Sequence, residues 1–289
     1  MSNLAQRLLL FFLGVPVLVA VIVLAPWYGH AALALFGVAF IAGCGIEIAG
    51  LWAARGVPIR PAITAILSAL PPLAVWATAA FAPDRAFELL GYGAAVLLPL
   101  VAVLLLSRYA FVRDQAEMDG VEPRVSGYAF TLLYPGLVSA PLMLLIGLPG
   151  PSTVRILVFV AVAFANDSLA WATGMLFGRK RGIVAVSPGK SLAGFVGGLA
   201  GSILMAVLAG IVFPDAVKGG PLALAALGLA VGVLDILGDL FESALKRSAR
   251  VKDSGSIVPG RGGFLDSFDN LLFAAPAFLL ASLALGIFR

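Results

Sequence analysis

The sequence predicts an all-α, polytopic helical membrane protein with about nine transmembrane helices and a cytoplasmic N-terminus. Composition is the first reason, since 61% of the 289 residues are hydrophobic and only 12% are charged. A mean hydropathy of +1.07 excludes an ordinary soluble domain with one buried core. Recurrent apolar runs are the second reason, and the concentration of Lys and Arg in alternate connections is the third.

Each predicted span contains about 20 residues, the length that a helix needs to cross about 30 Å of hydrocarbon. The spans follow one another at 8–26, 31–53, 62–82, 88–107, 127–149, 153–178, 192–213, 221–244 and 264–288. The first span exceeds the apolar core of about 7–15 residues that secretory signals have, so we expect it to be retained. With the N-terminus inside, the basic residues left outside the cytoplasm are Arg85, Arg155, Lys218 and Arg289.

A polar connection at 108–125 divides these spans into two groups. We expect N-terminal transmembrane helices at 1–125 and, at 126–289, a C-terminal transmembrane region that holds the candidate site. A solvated loop with no domain role is the alternative for this connection.

Single copies of cysteine and histidine limit the available chemistry. Cys44 alone cannot form an intramolecular disulfide or a CxxC site. His30 lies beside Trp27 and Tyr28, which is typical of an interfacial belt rather than of a ligand. The net charge of +4 fits basic cytoplasmic loops, and no basic-aromatic platform is present, so we expect no nucleic-acid partner.

Five carboxylates in the last two spans form two acidic helix faces. Asp235, Asp239 and Glu242 have spacings of i, i+4 and i+7, and Asp266 and Asp269 have a spacing of i, i+3. Each would cost about 2.5–3.5 kcal/mol at the bilayer centre without a partner. Oxygen ligands without histidine or cysteine favour Mg²⁺ or Mn²⁺, with a second cation left open. The alternative is that the acids pair with nearby lysines and arginines.

The connection between these two faces carries the densest positive charge in the chain. Basic side chains beside a glycine-rich turn favour a polyphosphate ligand, although anionic lipid headgroups are an alternative. The residues are Lys246, Arg247, Arg250, Lys252, Gly260, Arg261, Gly262 and Gly263.

A second candidate phosphate site precedes the seventh span. Ser187, Lys190 and Ser191 come just before a glycine-rich helix, whose N-terminus favours anions. The glycines of that helix, spaced four apart, are better explained as helix-packing positions. Asp167, in the middle of a span, is a functional candidate by default, whereas Glu47 has no motif around it.

Together these residues resemble the signature of the phosphatidate cytidylyltransferases, also called CDP-diacylglycerol synthases. The resemblance covers roughly residues 160–275. Three positions depart from the family pattern: Arg261 replaces a histidine, Ser267 an arginine, and Ala193 a glutamate. The matching residues are Gly238, Asp239, Leu240, Phe241, Glu242, Ser243, Lys246, Arg247, Lys252, Asp253, Gly255, Pro259, Gly262, Gly263, Asp266 and Asp269, with Asp167 and the Ser187 to Ser191 stretch as further landmarks.

The resemblance implies transfer of a cytidylyl group from CTP to phosphatidate, giving CDP-diacylglycerol and pyrophosphate. It assigns Mg²⁺ to Asp239 and Asp266, with Glu242 and Asp269 in support. It also implies a bacterial inner membrane location and contact with membrane lipids, and the distribution of basic residues predicts that the site faces the cytoplasm. A homodimer is left open. The residues expected to steady phosphates are Lys190, Lys246, Arg247 and Lys252, and those expected to orient the cluster are Ser243 and Asp253.

Three other functions are kept as alternatives. The departures at Arg261, Ser267 and Ala193 fit a divergent paralogue with altered or lost activity. A cation- or proton-coupled transporter would also place carboxylates in the membrane. A noncatalytic lipid-binding protein would bind phosphatidate without CTP-dependent metal affinity.

Overall fold

The computed structural model describes residues 10–85, 88–89, 91, 95–96, 98–107, 109, 112, 115–258 and 260–288. These residues form helices joined by turns and loops, and within them the only extended pairings are two isolated bridges, Arg181 with Ser191 and Val258 with Gly262. The prediction of an all-α fold is confirmed.

Apolar helices of membrane-spanning length dominate the described chain. A π-helical turn at Leu10–Gly14 precedes the first α-helix, and another at Leu132–Leu137 separates α6 from α7. In chain order the described α-helices are α1 (Val15–Leu24), α2 (Trp27–Ala54), α3 (Pro61–Phe81), α4 (Leu98–Ser107), α5 (Gln115–Asp119), α6 (Val121–Thr131), α7 (Ala140–Gly147), α8 (Ser152–Phe177), α9 (Leu192–Val212), α10 (Pro221–Ser248) and α11 (Leu265–Ala284).

Seven of the predicted spans correspond to helical segments long and apolar enough to cross a membrane, counted over the described residues. One of them, Glu117–Gly147, is interrupted at Tyr134, whose backbone leaves the helical region at φ −133° and ψ 116° just before Pro135. The predicted spans 8–26 and 88–107 fall partly outside the described residues, and what is described there includes shorter apolar helices. A polytopic helical membrane protein is therefore confirmed, while the count of nine stays a prediction.

Helices α8 to α11 form a C-terminal bundle in which α8 packs on α9, α9 on α10, and α10 on α11. Small residues allow the close approach. A Cβ added at Gly201 would lie 2.6 Å from the carbonyl oxygen of Ala165, and one at Gly228 would lie 2.5 Å from that of Ser202. The glycines of α9 thus act as packing positions, as their spacing predicted.

Helices α2 and α3 pack on each other, and α3 packs on α7. The two halves of the chain pack against each other. Cys44 and Ile48 of α2 belong to one buried apolar cluster with Leu265 and Leu272 of α11. The predicted boundary near residue 125 itself stays a prediction.

His30 differs from its sequence-based interpretation. Its neighbours Trp27 and Tyr28 are exposed, as belt residues are, but His30 is fully buried, with Nε2 3.1 Å from Ser152 Oγ. The expectation that His30 lies in the interfacial belt is wrong, because left-handed backbone angles at residues 28–30 turn this side chain into the protein.

The connections 55–60, 178–191 and 249–264 lie at one end of the molecule. Lys190 of the second connection pairs with Asp239 of α10, and Glu47 of α2 accepts hydrogen bonds from the start of α11. Most of the described basic residues assigned to the cytoplasm belong to this end. Four arginines of the orientation argument, Arg7, Arg108, Arg113 and Arg289, lie outside the described residues.

Candidate functional site

Two groups of polar side chains lie side by side at this end. We call Asp167, Lys190, Asp235 and Asp239 the cavity cluster, because all four line one cavity of about 430 Å³. We call Glu47, Glu242, Lys246, Ser254 and Asp266 the loop cluster, because they are joined through the connection 249–264.

The cavity lies between α8, α9 and α10. Helix α9 starts after Ser191, whose hydroxyl accepts a hydrogen bond of 3.1 Å from Gly194 N and so caps the helix. This cap places Lys190 directly outside the helix N-terminus, where it forms an ion pair with Asp239. The pair is partly exposed, with 25% and 37% of the two side chains accessible, so a ligand in the cavity can reach it.

The cavity cluster has unused hydrogen-bonding capacity. Asp235 is 2% exposed, and its Oδ1 has no hydrogen-bond partner among the described residues. Asp167 accepts one hydrogen bond of 2.9 Å from Asn270 Nδ2. Buried carboxylate oxygens normally have partners, so this oxygen is open to a ligand or a water molecule in the cavity.

The amide of Asn166 holds the wall of this cavity together. Its Nδ2 donates to Ser202 Oγ at 3.0 Å and to the carbonyl oxygen of Gly232 at 3.1 Å. One side chain of α8 thereby connects α9 and α10. We infer that Asn166 stabilises the cavity wall.

The loop cluster is centred on Lys246 and Asp266. The ammonium of Lys246 lies 2.5 Å from Asp266 Oδ1 and 2.7 Å from Glu242 Oε2, so one cation serves two carboxylates. The second oxygen of Asp266 accepts hydrogen bonds from Ser254 N at 2.9 Å, Ser254 Oγ at 2.8 Å and Gly263 N at 2.7 Å. Asp266 is thus held on both oxygens.

Glu47 reaches this cluster from the N-terminal half. Its two carboxylate oxygens accept hydrogen bonds of 2.8 Å each from Phe264 N and Leu265 N, at the start of α11. Ser254 Oγ lies 2.8 Å from Glu47 Oε2 as well as from Asp266.

The structure brings several predicted residues together. Lys190 meets Asp239, and Lys246 meets both Asp266 and Glu242. Asp269 is buried on α11, and the backbone nitrogen of Gly263 contributes directly by donating to Asp266.

Other predicted residues make none of these ion pairs or hydrogen bonds. Ser187 and Ser243 are half-buried, and Pro259 lies outside the described residues. Gly262 occupies a left-handed turn with φ +111°. The remaining predicted side chains are exposed, namely Arg247, Lys252, Asp253 and Arg261.

The three departures from the family pattern are also located. Arg261 is exposed on the connection 249–264, Ser267 donates a hydrogen bond of 3.0 Å to the carbonyl oxygen of Gly263, and Ala193 accepts one from Thr173 through its backbone. Ser267 thus stabilises the first turn of α11, and the carbonyl of Ala193 joins α9 to α8.

Sequence reasoning missed three contributors. Ser254 bridges two carboxylates, Asn270 donates to Asp167, and Arg181 lines the cavity. The sequence analysis assigned no function to Glu47, because no motif surrounds it. The one available signal was its charge within an apolar span, which marks a functional candidate.

The described carboxylates of the site have the donor chemistry of a divalent-cation site but are not assembled as one. In the described part of the chain, no three Asp, Glu, His or Cys side chains are preassembled as a metal site. The donor chemistry nevertheless fits a hard cation: three carboxylates line one cavity, and one buried oxygen has no partner. Asp239 and Asp266 are each already paired with an ammonium group, which is the ion-pair alternative that the sequence left open, so a cation bound there would share these carboxylates with Lys190 and Lys246.

Fold and site together define a class: helical membrane proteins with a cavity lined by carboxylates and basic side chains. Comparison with known proteins is more specific. The chain belongs to the Cytidylyltransferase family, whose family model matches residues 5–284.

Curated relatives support this assignment. The chain is 40% identical over 127 residues to the phosphatidate cytidylyltransferase of Thermotoga maritima, covering 43% of this chain and 47% of the relative. It is 42% identical over 125 residues to that of Synechocystis, covering 43% and 41%, and 35% identical over 185 residues to that of Bacillus subtilis, covering 63% and 66%. The aligned regions therefore span about half the length of these relatives.

Proposed function

We propose that this protein transfers the cytidylyl group of CTP to phosphatidate, giving CDP-diacylglycerol and pyrophosphate. A phosphatidate oxygen would attack the α-phosphorus of CTP, and the bond from that phosphorus to the oxygen bridging to the β-phosphorus would break, so that pyrophosphate leaves. The observation that carries this proposal is the charged cavity with its Lys190–Asp239 pair, which adjoins an apolar groove. Family membership and the names of the relatives support it.

The cavity suits a nucleotide triphosphate in size and charge. Its volume of about 430 Å³ lies within the range of small-molecule sites, about 300–1,000 Å³. Lys190 and Arg181 line it with positive charge, and Gly189 leaves the backbone open beside them. We assign these residues to the phosphates of CTP.

An apolar groove of about 270 Å³ adjoins the cavity and supports a lipid acceptor. Phe195 and Ile236 belong to both the groove and the cavity. A lipid phosphate could therefore enter the charged cavity while its acyl chain stays among apolar side chains. The other residues of the groove are Val184, Leu199, Val233, Leu237 and Leu240.

Asp239 and Asp266 are the residues that we propose to hold Mg²⁺ or Mn²⁺, and the ion would neutralise charge that develops on the triphosphate. Lys190 and Lys246, which contact these carboxylates, hold ammonium groups where phosphate oxygens would approach. The chemistry needs little proton transfer, so positioning and charge neutralisation would supply most of the catalysis.

We also propose that the site faces the cytoplasm of a bacterial inner membrane. The basic connections 55–60, 178–191 and 249–264 share the end where the cavity lies, which is the arrangement of cytoplasmic loops. A homodimer and a second cation stay predictions.

The test uses purified protein in phosphatidate-containing liposomes with Mg²⁺ and CTP labelled at either the α- or the γ-phosphate. We expect the α-label in the lipid product and the γ-label in pyrophosphate. Asp239→Asn should abolish transfer, whereas Asp215→Asn, at an exposed carboxylate on another connection, should leave it unchanged.

Other outcomes would contradict the proposal. A γ-label in the lipid would mean phosphoryl transfer, and ion flux without any labelled lipid would favour a transporter. Activity that appears only after Arg261→His and Ser267→Arg would identify a degenerate paralogue.

A further inference from the structure

We infer that Glu47 of α2 is a positioning residue that fixes Asp266 for the reaction. The inference rests on the proposed function, to which it adds a role for the N-terminal half of the chain. Glu47 is 6% exposed and lies 207 residues before Ser254 in sequence, yet it contacts the loop that leads to Asp266.

The Glu47 carboxylate holds the start of α11. Phe264 N donates to Oε1 and Leu265 N donates to Oε2, each at 2.8 Å. Unpaired amide groups at a helix N-terminus attract negative charge, so this carboxylate replaces the cap that Phe264 cannot provide from its own side chain. Asp266 is the next residue after these two amides.

The contacts of Glu47 continue to Asp266 through Ser254. The Ser254 hydroxyl lies 2.8 Å from Glu47 Oε2 and 2.8 Å from Asp266 Oδ2. Ser254 N and Gly263 N also donate to that Asp266 oxygen. Displacing the Glu47 carboxylate would therefore loosen the donors that fix Oδ2, while Lys246 still holds Oδ1.

The connection 249–264 packs closely against Glu47 of α2. A Cβ added at Gly255 would lie 2.4 Å from Glu47 Oε1, and one at Gly263 would lie 2.4 Å from Oε2. On the same face of α2, the ring of Phe40 packs edge-on against Phe264, with the centroids 4.4 Å apart. The loop is thus pressed directly onto the carboxylate.

The charge of Glu47 also supports a positioning role. Among the described residues, no lysine or arginine lies within ion-pair distance of it. Its charge is balanced by two backbone amides and the N-terminus of α11, and Ser254 can donate its one hydroxyl proton either to Glu47 or to Asp266. An unpaired carboxylate within an apolar span is costly, and organising Asp266 gives this one a function.

The first experiment needs no substrate. Hydrogen exchange of purified Glu47→Gln should be about tenfold faster than wild type at Phe264 and Leu265, since glutamine keeps one acceptor and turns an NH₂ group towards the other donor. Exchange should also rise at Ser254 and Gly263, which donate to Asp266. Glu122→Gln, at an exposed carboxylate of α6, is the matched control and should change none of these amides.

The second experiment measures kinetics. Glu47→Gln should lower kcat about tenfold and leave KM for CTP within about twofold, because Lys190 and Arg181 in the cavity are unchanged while Asp266 is misplaced. Ser254→Ala should have a similar effect, and the double variant should be little worse than either single one, because both act on Asp266. Glu47→Ala should be more severe than Glu47→Gln.

Three results would overturn the inference: unchanged exchange at Ser254 and Gly263, faster exchange with unchanged kcat, or additive effects in the double variant. If wild-type protein transfers no cytidylyl group, the proposed function fails, and exchange at Ser254 and Gly263 alone decides whether Glu47 positions Asp266.

Discussion

The cavity cluster and the loop cluster each combine several carboxylates with one lysine but use them differently. In the cavity, Lys190 pairs with Asp239, Asp167 accepts one hydrogen bond, and Asp235 keeps an oxygen without a partner among the described residues. In the loop cluster, Asp266 is held on both oxygens.

The difference teaches that buried charge serves two purposes here. An oxygen without a partner, such as Asp235 Oδ1, is open to a ligand, whereas Glu47 and Asp266, which accept from backbone amides, fix the geometry of the loop. Glu242 Oε1 of the loop cluster also has no partner among the described residues. Asp266 belongs to the second group, since Lys246 holds Oδ1 and the loop holds Oδ2.

The largest expected effect is at Asp239. Asp239→Asn removes the charge that pairs with Lys190 and the proposed cation ligand, and it should lower kcat/KM about 10³-fold. The measurement is CDP-diacylglycerol formation in liposomes, with protein folding checked by thermal denaturation. Activity within tenfold of wild type would show that catalysis does not depend on the Asp239 carboxylate.

Lys246→Met should destabilise the protein and also lower the rate of cytidylyl transfer. The change leaves Glu242 and Asp266 buried without their shared cation, at a cost of about 3–5 kcal/mol. Thermal denaturation should show a lower Tm, and adding Glu242→Gln should restore part of it without restoring activity. Lys180→Met, at an exposed lysine, is the control. An unchanged Tm for Lys246→Met would show that the two ion pairs contribute nothing.

The apolar groove should control the choice of lipid more than the rate. Leu199→Trp narrows the groove, so kcat/KM for phosphatidate with long acyl chains should fall about tenfold while short-chain phosphatidate is affected about twofold. The assay compares the two lipids at fixed CTP. Leu222→Trp, at an exposed position of α10 outside the groove, is the control. Equal loss with both lipids would place the acyl chain elsewhere.

The smallest effect is expected at Arg261. Its side chain is exposed on the loop, so Arg261→His should change kcat/KM by no more than about threefold. A gain of a hundredfold would show that this departure from the family pattern limits the natural protein.

Much of this organisation could be predicted from sequence. Helix spacing placed Asp239 and Glu242 on one face, and charge density identified the loop between α10 and α11. The family resemblance is confirmed by the match over residues 5–284. The metal assignment to Asp239 and Asp266 stays a prediction.

The long-range contacts could not be predicted. The hydrogen bond from Leu265 N to Glu47 spans 218 residues, and no local pattern in a single sequence encodes such a pairing. Ser254 has no distinctive spacing, and its role depends on two carboxylates meeting in space. His30 was misjudged because the left-handed backbone at residues 28–30 leaves no clear sequence signal.

Cytidylyl transfer at this site is tested most directly by the fate of phosphatidate oxygen. Phosphatidate carrying ¹⁸O in its phosphate group is incubated with CTP, Mg²⁺ and the purified protein. The ¹⁸O content of both products is then measured by mass spectrometry. Our account predicts ¹⁸O in CDP-diacylglycerol, including its bridging oxygen, and none in pyrophosphate, with no product from Asp239→Asn. Release of CDP with a lipid pyrophosphate, or full activity in Asp239→Asn, would contradict it.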